Sequence, residues 1–198
     1  MTDTLPAETT AARILDIVEA LMMERGFNAI SYQDISERVG IRKASIHYHF
    51  PAKADLGAAV IRKYSAKLGD IAVPLDVART QGFARTLETF FEMFAAVGAS
   101  TNKVCLGGML GAEFESLPEA MQSEVREFYA RAQSWLGELL DAGRAEGVFA
   151  FSGGGANLAR TMFSTLEGAL IIGRALGDAD QLRAVTAQLR ALAGVRAP

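Results

Sequence analysis

Apolar residues recur along most of this chain at spacings of three and four, not in alternation, so the pattern is helical. A first helix over 10–25 carries Ile14, Ile17, Val18, Leu21 and Met22 on one stripe, and Gly26 ends it. Ser31 reads as the N-cap of a second helix, with Asp34 three residues on at its positive end. Ile35 and Val39 share a face of that helix, and Gly40 stands where a chain leaves a helix in a left-handed conformation. A third helix begins near Arg42 and closes at Phe50-Pro51. The next, from 52 to the low 70s, turns Leu56, Val60, Tyr64 and Leu68 inward, with Pro51 welcome in its first turn. Residues 81–99 form a strongly apolar helix through Phe83, Leu87, Phe90, Phe91, Phe94 and Val97, followed by a loop at 100–103. Residues 104–116 are apolar and contain three glycines, which suit close packing or space for a ligand better than a helix interior. Pro118 opens a long helix to about 146, with Met121, Val125, Phe128, Ala132, Trp135, Leu139 and Ala142 on its buried face. A flexible break at 152–155 precedes two last helices, 156–176 and 179–194. The first carries Leu158, Met162, Phe163, Leu166, Ala169, Leu170 and Ile172; the second Leu182, Val185, Leu189 and Leu192. The fold class is all-α.

Length suits one or two domains, and half the residues are hydrophobic, enough for a sizeable core. No apolar run reaches the roughly 18 residues a membrane span needs, and the polar, acidic MTDTLPAETT start is no signal peptide. We therefore expect a soluble, cytoplasmic protein. One cysteine, Cys105, excludes an internal disulfide, and with two histidines there is no zinc spacing, so no metal or cofactor is expected. An enzyme would need a nucleophile–base or carboxylate constellation. Both histidines fall in the third helix, and Glu113 and Glu115 read as a solvated face, so no catalytic residue is assigned. The SerGlyGlyGly run at 152–155 lacks the Lys-Ser/Thr and preceding strand of a phosphate-binding loop.

Charge changes the picture. The chain is net −3, yet Arg38 to Lys67 holds seven cations (Arg38, Arg42, Lys43, Lys53, Arg62, Lys63 and Lys67) against one anion, Asp55. Residues 1–68 are net +1 and residues 69–198 net −4. A basic island in an acidic chain is the footprint expected where DNA phosphates dock. A helix, a Gly turn and a second helix rich in Arg42, Lys43, Ser45, His47, Tyr48 and His49 form a helix-turn-helix signature over 31–50. Lys53, near the start of its own helix, adds a phosphate clamp, where its plainer fate is a solvated lysine.

The run IRKASIHYHFPAKADL, residues 41–56, resembles the end of the TetR-family DNA-binding domain. That family shows a hydrophobic residue, a small polar residue, Lys, Gly, Ser/Thr, a hydrophobic residue, Tyr, two aromatic or His positions, Phe, then Lys three residues on. Ala44 stands for the common Gly and His47 for the common Tyr. The resemblance runs from about residue 8, through Gly26-Phe27, to about 68, a third of the chain. It implies an N-terminal three-helix DNA-binding domain, 8–68, and a C-terminal helical ligand-binding and dimerisation domain, 69–198. Arg42, Lys43, Ala44, Ser45, His47 and Tyr48 would face the major groove, while Ser31, Tyr32, Gln33, His49 and Lys53 would hold phosphates. Ile35, Val39, Ile46 and Phe50 would pack the module. The last two helices would pair with a second subunit as a four-helix bundle, and a dimer would read a palindromic operator in double-stranded DNA.

The resemblance also implies a small-molecule effector enclosed by the C-terminal helices. Its candidate walls are Phe90, Met93, Phe94, Met109, Phe114, Phe128, Trp135, Met162 and Phe163; each singly is more often plain core. Cys105 joins them. The segment Val104-Cys105-Leu106-Gly107 resembles the Gly-Cys-Leu segment of a TetR subgroup that includes the NemR-type electrophile-sensing repressors. A helix N-terminus just after Lys103 would lower its thiol pKa, whereas a free Cys is otherwise a small buried hydrophobe. The expected function is a ligand-responsive, homodimeric transcriptional repressor. The alternative is a helical carrier of hydrophobic ligands, which explains the apolar helices but not the basic island.

Overall fold

The computed structural model describes residues 9–100 and 102–195. The expected domain start at residue 8, the polar stretch before it, loop residue 101 and the last three residues lie outside these. The described residues form ten α-helices: α1 (Thr10–Arg25), α2 (Tyr32–Val39), α3 (Lys43–His49), α4 (Lys53–Ile71), α5 (Leu75–Gln81), α6 (Phe83–Gly98), α7 (Leu106–Ala112), α8 (Glu119–Ala145), α9 (Gly155–Leu176) and α10 (Gln181–Ala193). One 3-10 turn, Phe114–Ser116, follows α7. The all-α expectation holds, and among the described residues no helix is long and apolar enough to cross a membrane.

Local signals set most helix ends. Ser31 and Asp34 form a reciprocal capping box, and Gly40 is left-handed at φ 76°. Pro118 caps α8 with its ring in extended backbone. The apolar run expected over 81–99 begins instead after a break at Gly82, and a further short helix, α5, precedes it behind Pro74. Pro51 stands before the cap residue Ala52 and not in the first turn of α4. The stretch at 152–155 is a turn in which the Gly155 N–H donates to Asp141 Oδ1 at 3.0 Å, and α9 starts at Gly155 itself.

α8 and α9 pack along each other as the spine of the C-terminal part, with α4 laid on α8 and α10 on α9 and α6. Ring contacts fill the middle: Phe90, Phe94, Phe128 and Phe163 sit with centroids 5.3–6.4 Å apart. The Trp135 indole N–H donates to Val73 O at 3.0 Å and pins the α4–α5 joint to α8. Gly107 and Gly108 explain why α7 spends glycine. A Cβ at Gly107 would stand 2.9 Å from Glu167 Oε1 and from Phe128, and one at Gly108 would stand 2.8 Å from Glu167 Oε2. The glycines permit a close approach of α7 to α8 and α9.

α1 packs on α2 and α4 and touches α7. Glu113 is no solvated side chain: it accepts the Phe27 N–H at 2.7 Å and the Asn28 N–H at 3.3 Å. Its carboxylate thereby ties the α1–α2 loop to the end of α7. Glu115 is exposed, as expected. Ile172 and Leu192, members of the apolar sets of the last two helices, face outward at 48% and 54% exposure.

Candidate nucleic-acid interface

α3 is held by very little of its own. Of its seven residues only Ile46 is buried; Lys43, Ala44, Ser45, His47, Tyr48 and His49 are exposed, Tyr48 at 84%. The helix therefore owes its place to Ile46, to the Gly40 turn and to α2, whose Ile35 and Val39 are buried. Arg42 caps α3 without a side-chain hydrogen bond, and neither Arg42 nor Lys43 pairs with an acid among the described residues. Two unpaired cations, a hydroxyl and two imidazoles thus share one short exposed helix, the right inventory for phosphates and base edges.

The phosphate-holding expectations at α2 meet a more committed set of side chains. The Ser31 hydroxyl donates to Asp34 Oδ2 at 2.5 Å and accepts the Asp34 N–H at 3.3 Å. That hydrogen bond is the first cause holding the Asp34 carboxyl below its ordinary value. Tyr32 donates to Phe50 O at 3.2 Å and stacks on His47 at 4.1 Å between ring centroids. Gln33 donates to Glu37 at 2.5 Å. His47 Nδ1 lies 3.4 Å from Pro51 O. The Lys53 ammonium donates to Phe27 O at 2.7 Å and lies 4.2 Å from the centre of the Phe27 ring. Partial burial lowers its pKa, against the pull of Glu113 and Asp34. Lysine carries three donors, so Lys53 closes the α1–α2 loop and still has donors to spare.

The basic island is smaller in space than in sequence. Arg38 pairs with Glu24 at 3.5 Å, Arg62 with Glu124 at 2.7 Å, Lys63 with Asp16, and Lys67 with Glu19 at 2.5 Å. Four of the seven cations neutralise acids on α1 and α8, and the free positive charge narrows to Arg42, Lys43 and Lys53.

The candidate effector walls divide. Phe90, Phe94, Phe128, Met162, Phe163 and the half-buried Trp135 belong to one packed core. Met93 instead lines a surface cleft of about 270 Å³ with Tyr64, Leu68 and Val97. Met109 accepts from Arg174 through its sulfur at 3.6 Å, and Phe114 lies under Arg126 at 4.8 Å.

Cys105 contradicts the lowered thiol pKa expected of it. It is 2% exposed, its Sγ lies 3.2 Å from the Tyr64 hydroxyl, and burial, then the neighbouring Glu167 carboxylate, pushes the thiol well up. Glu167 was missed by sequence reading. It is buried on α9, takes the Gly108 N–H at 3.2 Å on one oxygen, and its Oε1 accepts no hydrogen bond among the described residues. Desolvation raises its pKa to about 7. Tyr129 closes the group by donating to Gly107 O at 2.7 Å. Only a periodic apolar face interrupted by Glu167 hinted at this.

Opposite that face, α9 exposes Ile171, Ile172 and Leu176, and the chain after it exposes Leu192 and Val195. These are the large apolar side chains that the last two helices leave uncovered.

A short exposed helix behind a glycine turn, mounted on an all-helical C-terminal part, defines a helix-turn-helix regulator. The family model described as bacterial regulatory proteins, tetR family, matches residues 14–60. A TetR transcriptional regulator from Legionella pneumophila is 32% identical in its crystal structure. The match covers 94% of this chain and 98% of that one, at a TM-score of 0.82. A TetR-family regulator from Agrobacterium tumefaciens is 30% identical over 92% and 97% at 0.84. Reduced NemR of E. coli, 19% identical over 96% and 100% at 0.79, shares the fold. No curated protein matches the chain. The chain belongs to the TetR family and is a transcriptional regulator.

Proposed function

We propose that the chain is a cytoplasmic, homodimeric repressor that leaves a palindromic DNA operator when a small molecule binds its C-terminal helices. The observation that carries the reading is α3, with six exposed side chains and the unpaired cations Arg42 and Lys43 in an otherwise acidic protein. Arg42, Lys43, Ala44, Ser45, His47 and Tyr48 face the major groove; Ser31, Tyr32, Gln33, His49 and Lys53 hold phosphates, the first three through groups left over from capping and packing. One α3 reads few base pairs, so two copies read half-sites about one helical turn apart, near 34–36 Å. The exposed Ile171, Ile172, Leu176, Leu192 and Val195 supply the dimer face.

The sensing region, from 69 onward, and the reading region, 8–68, meet inside α4, which runs unbroken through residue 68. α4 carries Tyr64 into the Cys105–Glu167 group and Lys53 to the DNA side, so it is the lever between them. An effector releases DNA only if it binds better to a state whose two α3 helices miss successive major grooves. Six core residues, Phe90, Phe94, Phe128, Trp135, Met162 and Phe163, would have to part to admit a bulky apolar ligand, with Met93, Cys105, Met109 and Phe114 at the margins.

Selection from a randomised duplex library, followed by titration at two salt concentrations, tests the reading. A recovered palindrome bound with strong salt dependence supports it. Binding of apolar ligands with no duplex selected would replace it with a carrier of hydrophobic molecules.

A further inference from the structure

A second cleft, distinct from the aromatic core, lies between the end of α6, the α9–α10 turn and the loop before α7, with a volume of about 90 Å³. By the measure in which one water needs about 10–15 Å³, it has room for roughly six water-sized groups. Its walls are of two kinds. Leu170, Leu182 and the bare backbone of Gly98 are apolar; Lys103, Arg174 and Ser100 are donors. A Cβ at Gly98 would stand 2.9 Å from Leu182 and 3.2 Å from Leu170, so this glycine keeps α6 close to α9 and α10.

The two cations lack acids. Lys103 has no hydrogen bond or ion pair among the described residues. Arg174 has only two long contacts, Nη1 to Glu24 O at 3.4 Å and Nη2 to Met109 Sδ at 3.6 Å. Elsewhere in this part of the chain Arg79, Arg131, Arg144, Arg183 and Arg190 pair with carboxylates, whereas Arg126 and Arg160 bond to Gln122 and Asn157 on their own helices; Lys103 and Arg174 differ from these in sharing one cleft. The cleft also carries one acid, Asp178, which pairs with neither cation; its Oδ1 accepts the Asp180 N–H at 2.9 Å, so the lining is two cations against one carboxylate. Two cations without carboxylates on one small, half-apolar cleft of an acidic protein are complementary to an anion with a short apolar body.

We propose that this cleft binds a small organic carboxylate, its oxygens between Lys103 and Arg174 and its carbon chain on Leu170 and Leu182. This names an effector class, and so rests on the reading of the chain as an effector-responsive regulator. Arg174 makes the site more than a pocket. The carbonyl it holds, Glu24 O, belongs to the last turn of α1, and the Glu24 carboxylate pairs with Arg38 on α2 at 3.5 Å. A carboxylate is a far stronger partner for a guanidinium than a thioether and a distant carbonyl. The bound anion draws Arg174 away from α1 and favours a state in which the last turn of α1 is released from α9.

Calorimetric titration of the full chain with straight-chain carboxylates from acetate to hexanoate and with benzoate, against the matching uncharged amides, tests the site without DNA. The site predicts binding of at least one carboxylate, none of its amide, and a tenfold or greater loss in Lys103→Gln and in Arg174→Gln, with Lys103→Arg retaining most of the affinity. Lys103 makes no contact that folding needs, so Lys103→Gln should melt as the parent does. No carboxylate binding, or binding undiminished in Lys103→Gln, overturns the proposal. The best carboxylate is then added to the protein on its library-selected duplex. Weakened DNA binding in the parent but not in Lys103→Gln supports the coupling; unchanged DNA binding overturns the coupling. If no duplex is ever selected, the regulator reading fails, while the calorimetry still decides the site.

Discussion

Helices α3 and α9 use their residues in opposite ways. α3 buries one side chain of seven and leaves its cations without acids. α9 buries nine of its twenty-two residues, Glu167 among them, and exposes a separate apolar stripe. An unpaired charge costs little on α3, where water solvates it. The same charge inside the C-terminal part is expensive, and Glu167 answers by raising its pKa. The surface proposed to face DNA is thus finished as it stands, whereas the C-terminal part holds groups that are incompletely satisfied.

Breaking α9 should have the largest effect. Phe163→Ala removes a ring touching Phe90, Phe94, Phe128 and Tyr129, and should lower stability by about 3–5 kcal/mol in urea unfolding. Tyr48→Ala on α3 should stay within about 0.5 kcal/mol. A loss below about 1 kcal/mol for Phe163→Ala would mean that the core is loose enough to hold an open effector chamber.

Glu167 gives the next effect. Its folded pKa, about 7, lies above its ordinary 4.5, so the native state keeps a proton that the unfolded chain gives up between those values. Stability is whole below about pH 4.5 and falls as pH rises through 7, by on the order of 3 kcal/mol. Glu167→Gln should flatten that slope and be more stable than the parent at pH 8. An unchanged pH profile would show that Glu167 is solvated or paired.

On the reading side, Lys43→Ala should cost operator binding about 1–3 kcal/mol with unfolding unaffected. Intact operator binding in that variant would move the recognition surface away from α3. A smaller effect on DNA binding belongs to Lys53→Ala. It should weaken specific and non-specific duplexes alike, lower the salt slope by about one per subunit, and cost about 1 kcal/mol of stability through the lost Phe27 carbonyl bond.

What was legible in the sequence was local. Ser31 with Asp34, Gly40 and Pro118 each act within four residues, and the helix ends fall where they put them. α5 escaped because seven residues carry too few turns for a period, leaving Pro74 and Gly82 as the cues. Long-range pairing was invisible. Glu113 meets Phe27 across 86 residues and Glu167 meets Gly108 across 59, so neither could be told from a solvated acid. The basic island misled for the same reason, since Asp16, Glu19, Glu24 and Glu124 reach its cations from other helices. At Cys105 the helix start and Lys103 argued for a low thiol pKa, but burial reversed the sign.

The central claim, that α3 and Lys53 of two subunits carry the DNA contact, is tested most directly by the salt dependence of binding to a library-selected duplex. With Lys53 on each of two subunits neutralising a phosphate, log K should fall against log salt with a slope of at least about −2, steeper by about one for each groove-facing Arg42 or Lys43 that also reaches a phosphate. A slope near zero, or one unchanged in a Lys43→Ala, Lys53→Ala double variant, would contradict it.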